Sequence, residues 1–210
     1  MGDAAIGTRT LLIGELLCES VDLHAGERVL DVPCGSGSAA LAAARHICRV
    51  VGVDVPELLE PARRRAQAEG LEVAFLEGEA EDLPLPDSSF EVVLSAGGAI
   101  SIPGQEGMVG ELLRVCRPGG RIGMVAWTPD GYVGELFAAI GRHLPWGTKE
   151  RLRELLGPEV AITAPRRSFL WRFPSAELLE VARRFDVSED DTLVLRLDYL
   201  EAVVRKPVWL

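Results

Sequence analysis

The chain has 210 residues, 48% hydrophobic and 26% charged, an ordinary balance for a globular protein long enough to bury one substantial core. Its 32 acidic residues against 22 basic ones give a formal charge of −10, which opposes the phosphate-neutralising surface that binding of DNA or RNA needs. No stretch approaches the roughly 18 consecutive apolar residues of a membrane span, and Met1 to Thr10 lacks the apolar core of a signal peptide. The expectation is one cytoplasmic domain over residues 1–210, with neither nucleic acid nor membrane as partner.

In chain order, Thr10 to Ser20 reads as an amphipathic helix, Arg28 to Val32 as a strand, and Ser38 to His46 as a helix with a small sheet-facing side. Arg49 to Asp54 is a second strand. Glu57 to Glu69 is a helix in which Pro61 implies a kink or a late start. Leu71 to Glu77 is a third strand. Phe90 to Ser95, apolar on both faces, is a central parallel strand. Gln105 to Cys116 is a helix stopped by Arg117-Pro118-Gly119-Gly120, and Arg121 to Trp127 is the fifth strand.

The regular βαβ alternation ends there. The remainder predicts helices over Gly131 to His143, Lys149 to Leu156 and Ala176 to Phe185, an extended run from Val160 to Phe173, and a last strand from Thr192 to Arg205. Two late strands so close together predict an antiparallel hairpin that completes the sheet. A cofactor-binding part over 10–130 and an acceptor-side, sheet-completing part over 131–210 follow from this division.

Cys18, Cys34, Cys48 and Cys116 are dispersed, with no C-x-x-C pair and no histidine at ligand spacing, so neither a disulfide framework nor a metal site is expected. They read as small core residues, Cys34 included, although it lies inside a glycine turn.

In an open parallel sheet, ligands bind beyond the carboxyl ends of the strands. Strand one ends at Asp31 and runs into Val32-Pro33-Cys34-Gly35-Ser36-Gly37, a turn of small residues opening into a helix that presents unpaired amides. Strand two ends at Asp54, 23 residues further on, where a carboxylate can accept both hydroxyls of a ribose; the alternative is a helix-capping aspartate. Asp31 at the turn would repel a pyrophosphate and suit a cation, or else bond its own turn amides. Glu79, Glu81 and Asp82 follow strand three, Ser95 and Ala96 follow strand four, and Trp127 and Thr128 follow strand five. A cationic adenosine ligand is favoured over a dinucleotide.

These residues together resemble the class I S-adenosylmethionine-dependent methyltransferases, particularly the small-molecule group. The likeness runs over about residues 10–145. It is carried by Val29 to Gly37, by Val51-Gly52-Val53-Asp54, by Gly78 to Ser95, by Glu111 to Arg121, and by Ala126-Trp127-Thr128-Pro129. The fold it implies is α/β and Rossmann-like: a mostly parallel seven-stranded sheet flanked by helices, with an antiparallel C-terminal hairpin. The implied cofactor is S-adenosyl-L-methionine, with S-adenosyl-L-homocysteine as product.

By that resemblance, Asp31 meets the amino and methionine side through water, and Pro33, Cys34, Gly35, Ser36 and Gly37 form the cofactor turn, with Gly35 and Gly37 packing on the methionine and ribose. Asp54 holds the ribose hydroxyls, with Val55 against the adenine. Glu79, Ala80 and Glu81 border the base, and Ser95 and Ala96 line the methionine end. Pro33 departs from the family's usual Gly or Ala, and Glu79 from a more usual Asp. The chain is also shorter than its likeness near Leu144 to Trp146 and Phe185 to Thr192, where the family builds a substrate lid. That shortening implies an open acceptor site, a lid borrowed from a second copy in a homodimer, or loss of activity.

Methyl transfer needs alignment more than a base. For a weakly acidic hydroxyl acceptor, His143 is the late histidine available. Trp127, Tyr132, Phe137 and Trp146 are candidates to wall an aromatic acceptor or to pack in the core. The expected function is methyl transfer to a small molecule, with a non-catalytic cofactor-binding partner as the alternative. A nicotinamide oxidoreductase is disfavoured by Asp31 and by the sequence from Gly78 to Gly120.

Overall fold

The computed structural model describes residues 3–96, 104–139, 148–158, 161–163, 165–173, 187 and 193–209. Its elements in chain order are α1 (Asp3–Ser20), β1 (Arg28–Asp31), α2 (Ser38–Arg45), β2 (Arg49–Asp54), α3 (Pro56–Glu69), β3 (Val73–Glu77), β4 (Phe90–Ala96), α4 (Gln105–Val115), β5 (Cys116–Trp127), α5 (Tyr132–Ala139), α6 (Lys149–Leu156), β6 (Ala161–Thr163), β7 (Arg166–Phe173) and β8 (Leu193–Arg205).

They form one sheet in the order β3-β2-β1-β4-β5-β8-β6, with β7 also paired to β8. Strands β1 to β5 pair in parallel, and β8 runs antiparallel to β5, β6 and β7. The expected α/β architecture with an antiparallel C-terminal hairpin is therefore what the chain adopts. Among the described residues the sheet has eight segments rather than seven, because the last edge strand is interrupted. Thr163↔Val203 and Arg166↔Leu200 keep one register across the break, where Pro165 has no N–H to donate but still accepts a bond from the Glu201 amide at 3.1 Å.

Alternating apolar residues bury both faces of the sheet. Leu30, Val93, Ile122, Met124 and Val204 pack under Met108, Leu112 and Val115 of α4 and Leu152 and Leu156 of α6. On the other face, Val29, Val92, Leu94 and Val125 meet Leu17 of α1, Val21 just after it and the alanines of α2.

Three local expectations are corrected. α1 begins at Asp3 rather than Thr10, since Ala4 and Ala5 are good helix formers. α3 starts at Pro56, a favourable first helical position, and runs through Pro61, so there is no late start. Cys116 belongs to β5, not to the preceding helix, and Arg117-Pro118-Gly119-Gly120 forms a bulged entry into that strand, with Phe90 opposite Cys116 and Val92 opposite Arg121. Buried Lys206 donates to the carbonyls of Leu113 at 2.8 Å and Cys116 at 2.9 Å, which satisfies carbonyls left over at the buried carboxyl end of α4. His143, Trp146 and the helix expected over Ala176 to Phe185 lie outside the described residues. Among the described residues no helix is long and apolar enough to cross a membrane.

Candidate active site

The chain leaves β1 outward through β2 and β3, then returns to build β4 and β5 on the other side, so the strand order reverses between β1 and β4. A crevice must open beyond the carboxyl ends of those two strands. The Val32 amide still donates to the Leu94 carbonyl at 2.9 Å, after which the two chains part.

The turn from Pro33 to Gly37 is held from below and from both sides. The Cys34 amide donates to the Val53 carbonyl at 3.0 Å, and the Gly37 amide to the Cys34 carbonyl at 2.8 Å. Arg65 of α3 donates to the Ser36 carbonyl at 2.6 Å and its hydroxyl at 3.0 Å. Gly35 and Gly37 both have positive φ, +52° and +82°. A Cβ at Gly35 would enter open space, whereas one at Gly37 would sit 3.2 Å from the Ala62 side chain. Gly37 therefore serves the packing of α2 against α3, and Gly35 is the residue that leaves backbone open. The Cys34 thiol is buried toward Gly52 of β2, and burial pushes its pKa up, as in a packed thiol rather than a reactive one.

Two carboxylates face this turn. Asp54, 6% exposed, accepts from the Gly35 amide at 2.6 Å and the Val55 amide at 2.8 Å, one bond per oxygen. A carboxylate offers about four acceptor positions, so roughly two remain for other donors. The capping and ligand-holding readings of Asp54 are thus compatible. Asp31, 1% exposed, accepts from the Ala40 amide at 2.8 Å, doing for α2 what the glycine at its N-cap cannot. Its second oxygen, Oδ1, is buried and has no partner among the described residues. Burial, with Asp54 adding like charge, pushes the Asp31 carboxyl up to about 8.

A cavity of about 360 Å³ lies beside this turn, bordered by Pro33, Asp54, Val55, Glu79, Ala80 and Glu81 among others. Val55 is 43% exposed there, an apolar face free for contact. Glu79 closes a tight turn by accepting from the Asp82 amide at 3.2 Å. Glu81 borders the cavity, but its carboxylate lies over the amino end of α4, in the space a Cβ of Gly104 would take, where the helix dipole favours an anion. Ser95 is fully buried and Ala96 half-buried at the end of β4. A larger cleft of about 790 Å³, which includes Arg28, Arg49, Glu72 and Phe90, lies at the amino ends of β1 to β4, opposite the crevice. The strand-end site is the chemically equipped one, because its carboxylates and open turn converge.

Sequence reading missed Arg65, and it gave no role to Glu111 and Arg114, whose bonds hold the loop after Glu79. The site residues suit an adenosine-bearing cation: the buried unpartnered Asp31 oxygen awaits a donor, Asp54 has unused acceptor positions, and Gly35 leaves room for a ligand to approach.

Comparison with known proteins agrees. A sequence model described as "Methyltransferase domain" matches residues 29–120. An uncharacterised protein of Mycobacterium tuberculosis is 34% identical over 203 residues, covering 90% of this chain and 70% of that one. A demethylmenaquinone methyltransferase of Thermus thermophilus is 43% identical over 116 residues, covering 52% of this chain and 53% of its own length. The crystal structure of the YcgJ protein from Bacillus subtilis shares the fold, with a TM-score of 0.74 at 22% identity over 93% of this chain and 98% of that one. With the paired acids, the open glycine turn and these similarities in hand, the chain belongs to the class I S-adenosylmethionine-dependent methyltransferase family.

Proposed function

We propose that this methyltransferase passes the methyl group of S-adenosyl-L-methionine to a small-molecule acceptor by in-line displacement, leaving S-adenosyl-L-homocysteine. The observation that carries the reading is Asp31, buried with one oxygen bonded to α2 and the other unsatisfied, next to an Asp54 with acceptor capacity to spare. Asp31 Oδ1 takes the cofactor's ammonium side directly or through water, and Asp54 takes the ribose hydroxyls. Val55, Glu79 and Ala80 border the base, while Ser95 and Ala96 line the methionine end.

When bound, the cofactor supplies an already activated sulfonium methyl. The protein's task is then to align three atoms, and positioning of that kind is worth roughly 7–11 kcal/mol. Trp127, edge-on to Tyr199 with ring centroids 6.4 Å apart, and Tyr132 stand at the end of β5, the side on which an acceptor would enter. The Thermus relative carries the name demethylmenaquinone methyltransferase, so quinone-type and phenolic rings are the first acceptor class to test. For such hydroxyls His143 is the proposed base. The enzyme is proposed to be cytoplasmic, to need neither nucleic acid nor membrane, and to have a second copy of itself as the partner to look for by light scattering.

Calorimetric titration with S-adenosyl-L-methionine, S-adenosyl-L-homocysteine and NAD tests the cofactor. Binding of the first two and not the third is expected; the reverse would end the reading. Assay of S-adenosyl-L-homocysteine release over phenols, amines and carboxylates then tests catalysis. Tight cofactor binding with no turnover across that set would favour a cofactor-binding partner protein instead.

A further inference from the structure

The loop that borders the base side of the cavity has a few short-range bonds of its own, Asp82 to Glu79, Leu85 to Leu83 and Ser89 to Pro86, and α4 supplies the bonds that fix it to the rest of the fold. Glu79, Glu81, Asp82, Pro84, Pro86 and Asp87 are all exposed, and Leu83, 4% exposed, is the main apolar anchor between them. At its upstream end the Gly78 amide donates to the Asp54 carbonyl at 3.3 Å, and the Pro84 ring packs back over Gly78. The downstream end is held by one ion pair of α4. The Leu83 amide donates to Glu111 Oε2 at 2.7 Å, and the Leu83 carbonyl accepts from Arg114 Nη2 at 3.1 Å, so both sides of that residue are gripped.

The same guanidinium donates through Nη1 to the Leu85 carbonyl at 2.8 Å and to Asp87 Oδ1 at 2.7 Å. Its Nε and Nη2 each donate to Glu111 at 2.6 Å. Arg114 has five N–H donors, and all five are committed. An ordinary i,i+3 pair on a helix surface serves its own helix and contributes little. Here most of the bonds go to the backbone and one side chain of another segment. Each partner favours the other's charged form: Glu111 is pulled below its ordinary range and Arg114 above.

Resting on the methyltransferase reading, we propose that Glu111 and Arg114 are positioning residues that set the base-reading edge of the cofactor site, holding Glu79 and Ala80 at the distance that selects adenine over other purines. Because Pro84 folds back on Gly78, the grip on Leu83 to Asp87 is transmitted to the turn that starts at Glu79. A lysine cannot replace Arg114, since a single ammonium has neither the fork nor the five donors.

The test compares calorimetric affinities for S-adenosyl-L-homocysteine and for S-inosylhomocysteine, in which an oxo group replaces the 6-amino group, across wild type and variants. The wild type is expected to prefer the adenine form, and both Arg114→Met and Arg114→Lys to lose about tenfold of that preference. Glu111→Gln keeps an acceptor for the Leu83 amide and is expected to lose less. Asp87→Ala removes one exposed contact and, as a variant that folds in any case, is expected to shift the preference about twofold. A preference unchanged in folded Arg114→Lys and in Asp87→Ala would show that the pair only stabilises the fold, and would overturn the proposal alone. Failure of wild type to bind either ligand would overturn the reading of the site itself.

Discussion

The glycine turn and the β7–β8 ribbon both stand at the carboxyl end of the parallel sheet, yet different kinds of bond hold them. In the turn each bond ends on a backbone group: the Cys34 amide on the Val53 carbonyl, the Gly35 and Ala40 amides on the carboxylates of Asp54 and Asp31, and the Arg65 guanidinium on the Ser36 carbonyl. The ribbon reaches past β5, whose last paired residue, Trp127, faces Tyr199; beyond it the Asp198 carbonyl still accepts from the Thr128 amide at 3.4 Å, and among the described residues Leu193 to Leu197 find their ladder partners in β7. Beside its ladder, long-range side chains tie it down: Arg166 to Asp130 at 2.7 Å and to Asp198 at 3.3 Å, Arg167 to Glu201 at 3.4 Å, and Ser20 to Glu201 at 2.6 Å. A site that must present fixed donors and acceptors to a ligand has its backbone pinned by buried and half-buried side chains. The ribbon, which under the proposed function would only enclose an acceptor, relies on side-chain pairs, some of them solvent-screened.

The largest expected effect tests whether the two regions share one core. Leu152 of α6 is fully buried against α4, so Leu152→Ala should cost about 2–5 kcal/mol, with a single urea transition for the whole chain. Two separated transitions would mean that the parallel part of the sheet and its carboxyl-terminal antiparallel part fold apart.

Next, Asp54→Ala removes a carboxylate that orders the Gly35 amide. It should weaken S-adenosyl-L-homocysteine binding by about 1–3 kcal/mol, read by calorimetry. An unchanged dissociation constant would mean that the turn does not depend on its carboxylates.

In the protein without cofactor, Asp31 holds its proton up to about pH 8, whereas in the unfolded chain it loses it near 4. The folded state therefore binds the extra proton between those values, and stability must fall as pH rises through that window, by at most about 1.4 kcal/mol per unit. Asp31→Asn should flatten the slope between pH 5 and 8 in urea titrations while impairing cofactor binding. Glu91, held down to about 2 by Arg28, contributes in the opposite sense and only below about pH 4.5. A wild-type slope retained in Asp31→Asn would assign it to another group.

The smallest effect belongs to the ribbon. Arg166 is 45% exposed in its side chain, so Arg166→Ala should cost no more than about 1 kcal/mol, and the loss should shrink in high salt. A larger, salt-insensitive loss would make the ribbon as rigidly built as the turn.

Much of the cofactor side could be read from the chain because its signals are local. Asp31, Gly35, Gly37 and Asp54 lie next to strand ends recognisable from their apolar runs, and the rule for parallel sheets says which ends matter. The roles of Arg65, Glu111, Arg114 and Lys206 were not legible, because each depends on a partner 20 or more residues away that hydrophobic period does not reveal. Glu81 shows the limit from the other side. Its position in the acidic run suggested the base, but the nearness of α4 draws its carboxylate to the helix end.

The order of local amino acids alone determined the strands, the small-residue turn and the carboxylates at strand ends, since backbone preference and alternating burial act over a few residues. Tertiary structure alone decided which charged side chains grip that turn and its neighbouring loop, how β6 and β7 share one edge across Pro165, and where Glu81 points. Those outcomes depend on burial and on distances between segments far apart along the chain, which exist only once the sheet and its helices have come together.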